Sequence, residues 1–193
     1  MNIEKAKAIS GYMYPEDLVW LAERASSHRR IVEVGSWKGK STRAMAENTQ
    51  GIVYAVDTWK GSAEHLDLLK DNPEGWLKEE FLRNMEGLDN VRPVQMTSLE
   101  AAESFQGQRF DMIFIDAEHH YEAVKADILA WRPLLSPGGL LCGHDYATNT
   151  DNMAGLVAAV DELVPDRSLT PPVTEWMASI WYWESPSTGA GRC

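Results

Sequence analysis

Short apolar runs alternate with helix-patterned segments at least five times along this chain, and that alternation leaves few folds open. The strand-like runs cover residues 31–34, 52–56, 91–96, 110–115 and 139–142, and an aromatic strand over 176–183 closes the series. Helical spacing begins at Pro15, with Glu16 and Asp17 on the positive end and Leu18, Leu21, Ala22 and Ala25 on one face. Further helices are predicted over 41–47, through Trp76, Leu77, Phe81 and Met85, from Ser98, over 121–131 with Val124, Ile128 and Trp131 inward, and over 153–164. The pattern predicts an α/β fold: a doubly wound, mostly parallel sheet with helices on both faces. In such sheets ligands sit beyond the carboxyl ends of the strands, so chemistry is sought there.

With 193 residues and roughly 150 per domain, the chain reads as a single domain over 1–184 with a flexible tail over 185–193. Eighteen basic against twenty-nine acidic residues leave a net charge of -11. That sign disfavours nucleic acid and anionic membrane surfaces, and favours a cationic ligand or a metal. The most apolar stretch, 133–143, is broken by Pro137, Gly138 and Gly139 and cannot span a bilayer. Cys142 and Cys193 make no disulfide framework, and no apolar run follows the N-terminal lysines, so a cytoplasmic location is expected. The polar segment 58–75 is long for a connection and is expected to be a mobile cover over the site. Of the eight tryptophans, Trp20 and Trp131 sit at helical core spacing, whereas Trp59 and Trp76 flank the polar segment and read either as cleft wall or as core.

The first strand ends Glu33-Val34-Gly35-Ser36-Trp37-Lys38-Gly39-Lys40-Ser41. Glycines let a backbone approach a ligand, and the following helix offers free N–H groups. A dinucleotide turn needs a second glycine two residues after the first, where Trp37 stands, so the ligand is expected to be nucleoside-like without a pyrophosphate at this turn. Asp57 closes the second strand twenty-two residues after Gly35, placed to accept from two ribose hydroxyls; a loop acid or helix cap is the alternative. Glu33 lies inside an apolar strand, where a carboxylate needs a partner, and a ligand's ammonium group suits it. Nucleoside, ammonium and acidic pocket together point to S-adenosylmethionine, whose sulfonium is cationic.

The fourth strand and its sequel are more specific. Phe110-Asp111-Met112-Ile113-Phe114-Ile115-Asp116-Ala117-Glu118-His119-His120-Tyr121-Glu122 leads to Asp127-Ile128, Trp131, Pro137-Gly138-Gly139 and Gly143-His144-Asp145-Tyr146. This closely resembles the class I S-adenosylmethionine-dependent methyltransferases, and among them small bacterial and phage enzymes related to sugar and macrolide O-methyltransferases. The resemblance spans roughly residues 31–160. It implies a seven-stranded sheet whose last strand is antiparallel. It implies that Glu33, Gly35, Trp37, Gly39 and Ser41 hold the methionine portion of the cofactor, that Asp57 takes the ribose, that Ser98 contacts the adenine, and that Asp116 also borders the cofactor.

Metal-dependent relatives place an acid where Asp116 stands and an acidic or amide pair where His144 and Asp145 stand. His144 departs from that pattern, and a nitrogen ligand admits Mn²⁺ as well as Mg²⁺. Without a metal, Asp116 and Asp145 would only bound the cofactor pocket. His119 follows Asp116 by three residues, where catechol-type relatives carry their basic residue, and is the expected general base, with His120 or metal acidification alone as alternatives. The expected function is transfer of a methyl group to a hydroxyl of a small-molecule acceptor such as a sugar. A metal-assisted oxidase-like relative and a non-catalytic nucleoside-binding module are the rivals. Neither nucleic acid nor membrane is an expected partner, and homo-oligomerisation is left open.

Overall fold

The computed structural model of the chain describes residues 1–61, 75–147, 151–171 and 179–187. In chain order, α1 (Glu4–Ala8) and α2 (Pro15–Ser26) precede β1 (Arg30–Val34), α3 (Lys40–Ala46) and β2 (Ile52–Asp57). Then come α4 (Trp76–Asn84), β3 (Val91–Gln95), α5 (Ser98–Ser104), β4 (Phe110–Ile115) and α6 (Tyr121–Trp131). The chain closes with β5 (Leu135–Tyr146), α7 (Ala154–Leu163), β6 (Ser168–Leu169) and β7 (Ser179–Glu184).

The strands form one sheet in the order β3-β2-β1-β4-β5-β7-β6. The first five run parallel, and β7 lies antiparallel between β5 and β6. This is the doubly wound, seven-stranded arrangement expected, with the closing aromatic strand reversed. Side-chain alternation splits the core in two. Ile31, Val53, Met112 and Phe114 face one layer containing Leu21, Met45 and Phe81; Val32, Val56, Ile113 and Ile115 face the other, with Ala101, Ile128, Trp131 and Val160. So α1–α4 cover one face and α5–α7 the other.

Register brings the strand ends level. Val34 pairs with both Val56 and Ile115, and Ile115 pairs with Gly143. Gly35, Asp57, Asp116 and His144 therefore emerge side by side. Chain order reverses between β1 and β4, the place where an open α/β sheet leaves a crevice.

Two details differ from the sequence expectations, and a third settles an alternative left open. β5 runs well beyond 139–142 on both sides, because pairing with β4 resumes across an irregularity between Phe110 and Met112 opposite the Pro137-Gly138-Gly139 stretch. α1 and β6 are too short, at five and two residues, to carry a readable period. Trp59 is core: it is 4% exposed, its ring centroid lies 4.9 Å from that of Phe81, and its indole N–H donates to the Trp37 carbonyl. Trp131 is fully buried as expected, whereas Trp20 is half-buried against Tyr182 and Arg24. Most of the expected mobile cover over 58–75, residues 176–178 of the aromatic strand, and residues 188–193 of the tail, Cys193 included, lie outside the described residues. Among the described residues no helix is long and apolar enough to cross a membrane.

Candidate functional site

A cavity of about 630 Å³ opens at the β1–β4 switch. Its floor is the turn after β1. Gly35 has φ 91° and donates its N–H to the Val56 carbonyl at 2.9 Å, while a Cβ built on it would lie 2.0 Å from the Asp116 carbonyl oxygen. Only glycine fits that close approach of two strands. Trp37 adopts φ 47°, in the left-handed region, and its N–H donates to Asp57 at 2.7 Å. The other Asp57 oxygen accepts the Trp59 N–H at 2.6 Å. Burial pushes the Asp57 carboxyl up, with these backbone donors opposing the shift. Asp57 thus holds the β1 and β2 turns together and still faces the cavity.

Gly35, Trp37, Ser41, Asp57, Ser98, Asp116, His119, His144 and Asp145 all line this one space. Glu33 and Gly39 stand behind its wall, which corrects the expectation that they face a ligand directly. Gly39 caps α3 at φ 85°, and a Cβ there would meet the Met85 methyl at 2.5 Å, so its smallness serves packing against α4. Glu33 shares the face of β1 that looks onto α3. Its carboxyl is fully buried and accepts the Ser41 hydroxyl at 2.5 Å and the Thr42 hydroxyl. Hydroxyls from the first turn of α3 therefore supply the partner expected from a ligand's ammonium.

Burial pushes Glu33 from 4.5 up to about 7, with the hydroxyls of Ser41 and Thr42 opposing. A carboxyl raised in the folded state stabilises the fold below the unfolded value, and that contribution is lost as pH rises through the folded one. At ~1.4 kcal/mol per pH unit, the change from 4.5 to about 7 amounts to about 3 kcal/mol. Glu33→Gln keeps one acceptor and one donor for the hydroxyls and is expected to remove this loss. In urea unfolding, the variant should gain on the wild type between pH 4.5 and 8. A difference between the two proteins that stays constant over that range contradicts the assignment.

The cavity's far side carries an acid–imidazole cluster. Asp145, in the left-handed region at φ 61°, bridges two histidines: His144 Nδ1 lies 3.1 Å from Oδ1 and His119 Nε2 lies 3.1 Å from Oδ2. His144 Nε2 lies 3.3 Å from Asp17 Oδ2 on α2. Burial raises the Asp145 carboxyl, but the hydrogen bonds from both histidines outweigh it and hold the group well below the usual carboxylate range. Burial lowers His144, yet its two carboxylate partners outweigh that and raise it well above the ordinary imidazole value. Burial pushes Asp116 up, opposed by the nearby His144.

Asp116, His144 and Asp145 each offer one donor atom, and these lie within 4.8 Å of one another. Two carboxylate oxygens and one imidazole nitrogen fit a divalent ion such as Mg²⁺ or Mn²⁺. His144 Nδ1 and Asp145 Oδ1 are hydrogen-bonded at 3.1 Å, so a cation held here would displace the Nδ1 proton.

Four groups at or beside the cavity were not identified from the sequence. Gly11, Tyr12 and Met13 bring the segment between α1 and α2 to the mouth. Lys40 reaches it and is lowered by burial. Asp127 lies on the buried side of α6, accepts the Ser98 hydroxyl at 2.5 Å, and is pushed up to about 6 by burial. Asp17 stands behind His144. Of these, Asp127 alone left a sequence signal: it interrupts the inward series Val124, Ile128, Trp131 with an acid. Altogether Asp57, Asp116, Glu118, Asp127 and Asp145 line the cavity against Lys38 and Lys40, a balance that suits a cationic ligand.

The comparisons with known proteins bear on the family and the fold. The O-methyltransferase hkm8 of Aspergillus hancockii is 31% identical over 130 residues, covering 66% of this chain and 48% of that protein. The uncharacterised protein y4gI of Sinorhizobium fredii is 31% identical over 137 residues, covering 66% of this chain and 14% of that protein. The chain thus spans less than half the length of these curated relatives. Among solved structures, the O-methyltransferase from Bacillus cereus in complex with SAH shares the fold, with a TM-score of 0.63 at 20% identity, covering 92% of this chain and 86% of that one. A family model described as a methyltransferase domain matches residues 32–146, from inside β1 to the end of β5. That span holds Gly35, Asp57 and the Asp116–His144–Asp145 cluster, and with it the chain belongs to the methyltransferase-domain family.

Proposed function

We propose that this chain transfers a methyl group from S-adenosylmethionine to a hydroxyl oxygen of a small molecule, a sugar or a natural product. The observation that carries the proposal is the cavity at the β1–β4 switch, where a glycine turn, a ribose-competent acid and an acid–imidazole cluster meet. S-adenosylmethionine, when bound, supplies a methyl group on a cationic sulfonium, which the cavity's excess of carboxylates suits.

The Gly35–Trp37 turn forms the floor beneath the methionine portion. Asp57, already oriented by two backbone N–H groups, accepts ribose hydroxyls with its remaining lone pairs. Ser98, flanked by Met96, Thr97 and Leu99, borders the adenine end. Asp116, His144 and Asp145 would hold a divalent cation, which would supply Lewis acidity toward the acceptor hydroxyl. His119 takes the acceptor's proton, its ring oriented by Asp145, which accepts its Nε2–H. His120 is the weaker candidate, with a 73% exposed side chain beside Glu118. The acceptor is small and uncharged or cationic, since five carboxylates line the cavity. Nucleic acid and membrane are not partners in this reading, and the working location is the cytoplasm. The test has two stages: titration of SAH into the folded protein, then conversion of S-adenosylmethionine to SAH that depends on a hydroxylated acceptor. Binding without acceptor-dependent conversion across a broad panel would favour the nucleoside-binding module instead.

A further inference from the structure

Asp17 stands 127 residues before His144 and belongs to a helix outside the family match, yet the two side chains meet at 3.3 Å. Both are buried, at 7% and 6% side-chain exposure. Asp17 is the third residue of α2, where an acid ordinarily faces water near the positive helix end. Here its Oδ2 accepts the Tyr14 N–H at 3.2 Å and turns inward to the imidazole. A capping role alone accounts for the first contact and leaves the second, and the burial of the carboxylate, unexplained.

We propose that Asp17 is a positioning residue for a divalent cation: by accepting the Nε2–H of His144 it fixes the ring so that Nδ1 faces Asp145. This rests on the reading of Asp116, His144 and Asp145 as cation donors. A carboxylate accepts hydrogen bonds and cannot donate them, so the nitrogen nearest Asp17 must carry a proton. Nδ1, 3.1 Å from Asp145 Oδ1, donates in the same way without a cation, so a bound cation would displace the Nδ1 proton to solvent and take that lone pair while Asp17 keeps the Nε2–H. Histidines that bind metals are commonly oriented in this way by a carboxylate on the far nitrogen. Asp17 thereby ties α2, and the Gly11–Met13 segment before it, to the cation end of the cavity.

The experiment titrates Mn²⁺ into the folded wild type, Asp17→Ala and Asp17→Asn, reading bound ion by electron paramagnetic resonance. The His144 ring nitrogens are read by ¹⁵N NMR with Mg²⁺ in place of Mn²⁺. Wild type is expected to bind Mn²⁺ and, with Mg²⁺, to show Nε2 protonated and Nδ1 bare. Asp17→Ala should bind Mn²⁺ about 10–100-fold more weakly and show mixed protonation of the ring. Asp17→Asn retains an oxygen acceptor for both N–H groups but loses the charge, and should fall between the two. It carries the test should Asp17→Ala not fold. A residue serving only to cap α2 would lower thermal stability and leave Mn²⁺ affinity and the nitrogen pattern unchanged, and that result overturns the proposal. A wild type that binds no Mn²⁺ overturns the cation reading itself, and the role of Asp17 with it.

Discussion

His119→Ala is expected to slow methyl transfer by about 10²–10⁴-fold, the usual loss for a general base, while His120→Ala stays within about twofold, as for an exposed side chain away from the chemistry. The two histidines are chain neighbours, and the structure separates them sharply. His119 is 18% exposed, lines the cavity, and has Nε2 3.1 Å from the Asp145 carboxylate. His120 occupies the N-cap position of α6 with its ring in solvent, 3.3 Å from Glu118. Of these two neighbours only His119 presents an oriented imidazole to the cavity. The loss should fall on kcat under saturating cofactor, because cofactor contacts on the β1 and β2 side are untouched. Near-wild-type turnover in His119→Ala would remove it from the mechanism, and a matching loss in His120→Ala would reassign the base.

The second large effect is structural. Gly35→Ala puts a Cβ 2.0 Å from the Asp116 carbonyl oxygen and 2.8 Å from the Ala117 Cα, in a residue held at φ 91°. Neither neighbour is a flexible side-chain end, so β1 and β4 must part where the cavity floor forms. Strain of the left-handed conformation costs ~1–3 kcal/mol and overpacking a further ~1–3 kcal/mol. Set against a total of about 5–15 kcal/mol for an ordinary domain, a loss of about 2–6 kcal/mol leaves a marginal protein. Urea denaturation followed by circular dichroism reads this directly. A midpoint unchanged from wild type would mean that the strands do not approach as described.

Much of the frame was legible because its signals are local. The apolar run of 110–115 and the 3.6-residue period of 121–131 reach the strand and helix observed there, and Asp57 and Asp116 stand at strand ends because each apolar run stops in front of them. What escaped depends on distance in the chain. Nothing near Asp17 announces His144, since their meeting requires α2 to pack across the end of β5. The Gly11–Met13 segment reaches the cavity for the same reason. Glu33 was read correctly as a buried acid in need of partners, but the expected partner was a ligand. Ser41 and Thr42, eight and nine residues on, face β1 only once the turn at Gly35–Gly39 folds the helix back. Trp59 reads as core or cleft wall from sequence, and only its packing on Phe81 decides between them.

The central claim, that the β1–β4 cavity is a site for S-adenosylmethionine, is tested most directly by calorimetric titration of SAH into the folded protein. A single site per chain is predicted. Asp57→Ala should weaken it by about 1–3 kcal/mol, or roughly 5–150-fold, as for hydrogen bonds to a charged acceptor. The variant's circular dichroism spectrum would show that α2 through β5 remain folded despite the lost Trp37 and Trp59 contacts. No heat of SAH binding to folded wild-type protein, at concentrations where the fold is intact, would contradict the account.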